Sequence, residues 1–220
     1  MTNKLITVQV SKILTLCFLV FGFISKSYSQ DVKNKELDSL AVKMFKTIND
    51  KDYNSILEMT HPKVFDIVPK ETMATVLKST FEGNEEFSID MPKEIPQYKI
   101  SSVYKDIDNN SDYAFLSYDL KMTMSFNNQE FDEESKEMMK NMMLMKGMEA
   151  EFISNNTLKV LMLNRLTILV KDKATNNKWV MVNYDPDSPL FFKILSVNII
   201  EKAKEYNQGL MIESKKEQKN

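Results

Sequence analysis

Cysteine, histidine, arginine and tryptophan each occur once in this 220-residue chain, and each scarcity removes a class of chemistry. The one cysteine, Cys17, lies in an N-terminal apolar run. Without that run the chain has no thiol, which excludes disulfides, thiolate catalysis and cysteine metal cages. A lone histidine, His61, cannot build a two-histidine metal site. Arg165 is the single arginine, and arginine is the favoured bidentate reader of phosphates and guanine edges. With a formal net charge of −2, this argues against nucleic-acid binding. Four glycines and six prolines exclude collagen-like and low-complexity classes. The remaining composition, 43% hydrophobic and 27% charged, is that of one globular domain.

The N-terminus reads as an address. Lys4 and Lys12 precede an uncharged run from Ile13 to Ile24, and Ser27-Tyr28-Ser29 follows. A charged start, an apolar middle and a small-x-small end make a secretory signal peptide over 1–29, cut after Ser29. The run is shorter than the roughly 20 residues a bilayer span needs. Cleavage removes Lys4, Lys12 and Lys26 and no acid, leaving 26 basic against 31 acidic residues and a net charge of −5. An exported, anionic protein in the periplasm or the medium is expected, with no membrane span after cleavage.

A single domain is expected over 30–212. Leu37, Leu40, Ala41, Met44, Phe45 and Ile48 make the apolar stripe of an amphipathic helix. Asp52 is a candidate N-cap for a short helix carrying Ile56 and Leu57. Pro62 suits the first turn of another. Met73, Val76, Leu77 and Phe81 repeat the helical spacing up to Gly83. The period then changes. Gln97 to Ile107 reads as one strand, with Tyr98, Ile100, Ser102 and Tyr104 sharing a face. Tyr113 to Phe126 alternates cleanly, Leu116, Tyr118, Leu120, Met122, Met124 and Phe126 on one side. A methionine-rich helical insertion, 130–152, interrupts the sheet. Thr157 to Lys171 is a long strand with Leu158, Val160, Met162, Leu166, Ile168 and Val170 on one face and Asn164 as the polar exception. Lys178 to Tyr184 returns as its hairpin partner. A C-terminal helix from Pro189 and a disordered tail over 213–220 complete the reading.

Helices followed by strands read as α+β: N-terminal helices packed on a curved antiparallel β-sheet, cone-shaped, with a helical insertion and a C-terminal helix. A one-sided sheet must cover its apolar face, and the N-terminal helices are the available cover. A pocket is expected between helix and sheet.

Asn49-Asp50-Lys51-Asp52-Tyr53, then Met59-Thr60-His61-Pro62, then short helices and hairpins ending in Asn177-Lys178-Trp179-Val180, resemble the nuclear-transport-factor-like, ketosteroid-isomerase-like cone (cystatin-like α+β) superfamily. More narrowly, the chain is similar to exported bacterial members. The resemblance covers Leu37 to Pro189. It implies the cone fold and a pocket, and carries over no catalytic residues. The insertion and the long C-terminal helix depart from the compact family pattern.

Five residues are ligand-binding candidates. His61 is the only near-neutral titrating side chain, either a general base at the pocket mouth or a helix-start residue packed beside Pro62. The second is favoured, because no acid or nucleophile stands at a diagnostic spacing. Tyr98, Tyr118 and Trp179 offer apolar faces with polar tips, though alternating aromatics are also ordinary sheet core. Asn164 interrupts an apolar face, so it is a better candidate for a polar group facing the pocket than Asp119 on the wet face. Met138, Met139, Met142, Met143, Met145 and Met148 crowd into eleven residues. Thioethers select Cu(I), which makes Met139, Met142, Met145 and Met148 an alternative copper set. Methionine is equally a filler of irregular gaps and a promiscuous contact surface.

The leading functional expectation is an exported, non-enzymatic domain that binds a small apolar ligand or an envelope protein. No cofactor is implied. An isomerase or hydratase using the pocket, or Cu(I) binding, are the alternatives. Homodimerisation through an outer sheet face bearing Leu161, Leu163 and Leu169 is a further expectation.

Overall fold

The computed structural model describes residues 34–186, 188 and 190–217. The signal-peptide reading therefore lies outside the described residues. Asn34 opens the first helix, α1 (Lys35–Asn49), accepting hydrogen bonds from the Glu36 and Leu37 N–H groups. Leu37, Ala41, Met44, Phe45 and Ile48 are all buried, so the stripe read from the sequence is the packed face. Burying a side chain such as Leu37 or Phe45 contributes roughly 1.5–3 kcal/mol. Lys51, in left-handed conformation at φ 55°, turns the chain. Asp52 then caps α2 (Tyr53–Met59) by accepting from the Ser55 N–H. A short 3-10 turn, Pro62–Val64, leads to α3 (Lys70–Glu82). Gly83 ends α3 at φ 79°, where a Cβ would sit 2.9 Å from the Phe87 carbonyl oxygen.

The sheet is antiparallel throughout, open and curved. Two long strands, β4 (Ser111–Phe126) and β6 (Thr157–Lys171), form its middle. The far side of β4 pairs in turn with β3 (Tyr104–Asp106), β2 (Tyr98–Ile100) and β1 (Phe87–Asp90). The far side of β6 pairs with β7 (Val180–Asn183) and β5 (Met148–Phe152). The insertion is helical over α4 (Glu133–Met145), capped by Asp132, and then joins the sheet as β5. The chain is therefore α+β, with helices packed on an antiparallel sheet, as its element order implied.

Two apolar cores flank the sheet. On one face α1 to α3 and the buried Met139 and Met143 of α4 pack on Leu116, Leu120, Met122, Met124 and Leu158. On the other, Phe115, Leu166, Ile168 and Val170 meet α5 (Phe191–Ile194) and α6 (Val197–Glu217). The sheet is thus not one-sided. Ile199, Ala203 and Leu210 of α6 cover the face that was expected to be open.

A bulge explains this difference. Tyr118 pairs with Arg165 and Leu120 with Met162, so Asp119 alone stands opposite Leu163 and Asn164. The extra residue reverses the alternation of β6. Leu158, Val160 and Met162 face the N-terminal helices, whereas Leu166, Ile168 and Val170 face α6. Leu169 lies fully buried in the first core, so it cannot belong to an outer dimer face with the half-buried Leu161 and Leu163.

Two further readings are corrected. The strand expected over Gln97 to Ile107 is two short strands, because Ser101 bonds Phe115 and breaks the ladder there. Tyr98 and Ile100 consequently pack in the first core, while Tyr104 stacks on Tyr113 in the second. The tail expected from Glu213 is helical as far as Glu217.

Candidate functional site

A partly open cavity of about 210 Å³ lies at the β7 edge of the sheet, where the two cores meet. Its walls come from successive short elements. Met44 projects from α1, Ile56 and Met59 from α2, Met73, Val76 and Leu77 from α3, and Phe191 and Ile194 from α5. The floor is β7, which contributes Met181, Val182 and Asn183, and Asp185 follows beyond the strand end. The Thr60–Met181 bridge and the bond from the His61 N–H to the Met181 carbonyl hold the helices against that floor. Four methionines, Met44, Met59, Met73 and Met181, line the space, and unbranched thioethers adapt to irregular shapes.

The polar residues of the lining are Thr60, Asn183, Asp185 and Ser188, and Asn183 connects to the sheet behind it. The Thr167 hydroxyl donates to Asn183 Oδ1 at 3.2 Å, and the Tyr118 and Thr167 hydroxyls lie 3.3 Å apart. Burial pushes the Tyr118 phenol up, against the opposing pull of Arg165 and Thr167. Burial lowers the Arg165 guanidinium from its ordinary value, and its attraction to Tyr118 and Asp185 opposes that shift. Asp185 and Asn183 line the cavity, with Arg165, Thr167 and Tyr118 behind them on the sheet.

None of the five candidates lines this cavity. His61 is fully buried, and both ring nitrogens are engaged. Nδ1 accepts from the Lys63 N–H at 3.2 Å, which assigns the proton to Nε2, 3.2 Å from Asp172 Oδ2. Burial depresses its basicity more than Asp172 restores it. His61 therefore joins the helices to the β6–β7 turn and does not line the cavity. The Tyr98 hydroxyl donates to the Asp38 carboxylate. Burial, then the hydrogen bond and charge of Asp38, raise its phenol. The rings of Tyr98 and Tyr118 pack on Phe45 at 5.5 and 5.3 Å. Trp179 is core, with the Lys171 ammonium 5.9 Å from its ring centroid.

Asn164 occupies the extra position of the bulge at φ 55°. Its N–H donates to Asp119 Oδ1 at 2.9 Å, and its side chain turns to α6. It borders a second, polar groove with Ser117, Asp119, Glu213 and Ser214. Tyr98 and Tyr118 also border this groove, but their rings pack across the sheet against Phe45. Tyr118, Asn164 and Trp179 do not converge on one enclosed space.

The four methionines of the copper alternative are spread between core and surface. Met139 and Met148 are 2% and 1% exposed, Met142 is half-buried and Met145 is 80% exposed. Among the described residues no group of three or more histidine, cysteine or carboxylate side chains could hold a metal ion. No helix among them is long and apolar enough to cross a membrane.

Sequence reasoning missed Asn183 and Asp185. Asp185-Pro186 reads first as a strand terminator, and Asn183 as the polar end of a short strand, so neither stood out in the sequence. Compared with protein-family models, curated proteins and solved structures, the chain matches none of them.

Proposed function

We propose that this chain is an exported, non-enzymatic binding protein that holds a small apolar molecule in the cavity at the β7 edge. The observation that carries the reading is a methionine-rich apolar cavity with only a few polar groups, Thr60, Asn183, Asp185 and Ser188, in its lining, the usual form of a small-molecule site. Since a cavity of ~150 Å³ takes benzene, this one suits a ligand of roughly eight to ten non-hydrogen atoms. The non-enzymatic reading draws support from His61, whose two nitrogens serve the fold. Membership of the nuclear-transport-factor-like superfamily is part of the proposal, supported by the motif resemblance and by α1 packed on an open antiparallel sheet. Export rests on the apolar run followed by Ser27-Tyr28-Ser29. N-terminal sequencing of secreted material beginning at Gln30 would support it, and retention of Met1 in the cell would end it.

Titration calorimetry with octanol tests the binding reading. Saturable binding to the wild-type protein, abolished in a folded Val76→Phe variant whose ring fills the cavity, is the expected result. Octanol binding unchanged by that substitution would overturn it.

A further inference from the structure

The cavity wall carries a preference for one kind of ligand body, an inference that rests on the binding reading above. Four of its eighteen described lining residues are methionine, Met44, Met59, Met73 and Met181, against 16 methionines in the whole 220-residue chain. They come from α1, α2, α3 and β7, so thioethers border the space from several elements at once. Met44, Met59 and Met181 are buried and Met73 is half-buried, so a ligand meets them with little competing water. Phe191 is the sole aromatic residue among the described lining, and its ring tilts against Tyr184 at 5.8 Å. The polar lining residues, Thr60, Asn183, Asp185 and Ser188, offer donors as well as acceptors, so they set no rule for the charge of a polar substituent. The distinctive part is the apolar wall.

A thioether sulfur is polarisable and makes a favourable contact with an aromatic ring, about 5 Å away and often at the ring edge, where the ring is positive. A saturated body gains only dispersion from the same atoms. A space of about 210 Å³ is far more than one soft metal ion needs, so these thioethers surround a molecule and not an ion. We infer that the cavity takes an aromatic molecule, of one ring or two fused rings, in preference to an aliphatic one of equal size, with the ring lying among Met44, Met59, Met73 and Met181. Burial alone gives the opposite order. Water solvates the negative face of an aromatic ring better than it solvates a saturated ring, so a plain hydrocarbon wall favours the saturated compound.

The probes are 2-phenylethanol, 2-cyclohexylethanol and octanol. All carry eight carbons and one hydroxyl, so they differ in the body alone. Calorimetric titration of the full chain should give an affinity for 2-phenylethanol at least about threefold above that for 2-cyclohexylethanol, the reverse of their order of transfer out of water. Leucine is close to methionine in volume and lacks the sulfur. In the double variant Met44→Leu/Met181→Leu the ratio of the two affinities should therefore fall to about one or below. Binding of 2-cyclohexylethanol as tight as that of 2-phenylethanol in the wild-type protein would overturn the inference while leaving the cavity as a binding site. A ratio unchanged in the folded double variant would overturn it too, since the preference would then not come from these sulfurs. The wild-type comparison needs no variant, so a poorly folding double variant does not remove the test. Binding of none of the three would end both this inference and the binding reading.

Discussion

The side-chain amide of Asn164 donates to Ser214 Oγ at 2.7 Å, tying the bulge of β6 to the final turns of α6 across 50 residues of chain. The same residue holds a left-handed backbone and donates its N–H to Asp119. Asparagine tolerates that conformation better than alanine does. Asn164→Ala should therefore lower unfolding free energy by about 1–3 kcal/mol, combining backbone strain with the lost bond. Asn164→Gly should cost less, since it relieves the strain and loses only the side chain. Urea denaturation separates the two. Equal losses would mean that the Ser214 bond, and not the turn, governs the site.

His61 predicts a pH dependence. Its folded-state basicity lies below the ordinary value because the ring is buried. As pH falls below about 6.5, the unfolded chain takes up the proton first, so stability is full above that pH and declines beneath it. The slope contributed by one such group is at most about 1.4 kcal/mol per pH unit. His61→Gln should flatten the profile between about pH 7 and pH 5.5, above the carboxylate range. Denaturant midpoints across that window provide the measurement, and an unchanged slope in the variant would show that another group is responsible.

Asp106 anchors the start of α6. It is 3% exposed and accepts from Ser196 Oγ at 2.5 Å, Asn198 Nδ2 at 3.2 Å and Asn109 Nδ2 at 2.8 Å. Burial works against its charge, but these hydrogen bonds prevail and hold the carboxyl below its usual range. The stabilisation is therefore present above about pH 4 and lost as pH falls further. Asp106→Ala should cost about 2–3 kcal/mol. It should also raise amide exchange along Ile199 to Leu210 more than along α1. Uniform protection in both helices would show that α6 docks without this anchor.

The insertion predicts a graded response to oxidation. Met145 and Met138 are 80% and 48% exposed, whereas Met139 and Met143 are each 2% exposed. Dilute peroxide should convert the first pair to sulfoxides well before the second, because thioether oxidation follows access. Peptide mass spectrometry over a time course reads this order. Simultaneous oxidation of all four would place α4 off the sheet.

The helices and β4 were legible because a single period governs each. Leu37 to Ile48 and Leu116 to Phe126 keep their spacing without interruption, so one face could be read directly. β6 was not, because alternation cannot register an inserted residue. Asn164 marked the place, but its polarity was read only as a side chain facing a pocket, whereas it also carries the left-handed turn of the bulge. The cover on the second face was hidden in the same way, since reversing β6 is what turns Leu166, Ile168 and Val170 toward α6. The cavity draws one or two residues from each of several elements, so no local pattern announced it.

Each flank of the sheet is built in pieces: four, three and three residues beside β4, and five and four beside β6. A neighbouring molecule finds no long unbroken row of free backbone donors and acceptors to extend. The two long strands, β4 and β6, are paired on both sides by their own chain. A domain gathered at high local concentration would keep its copies separate by this arrangement, without needing a strongly charged surface to do so.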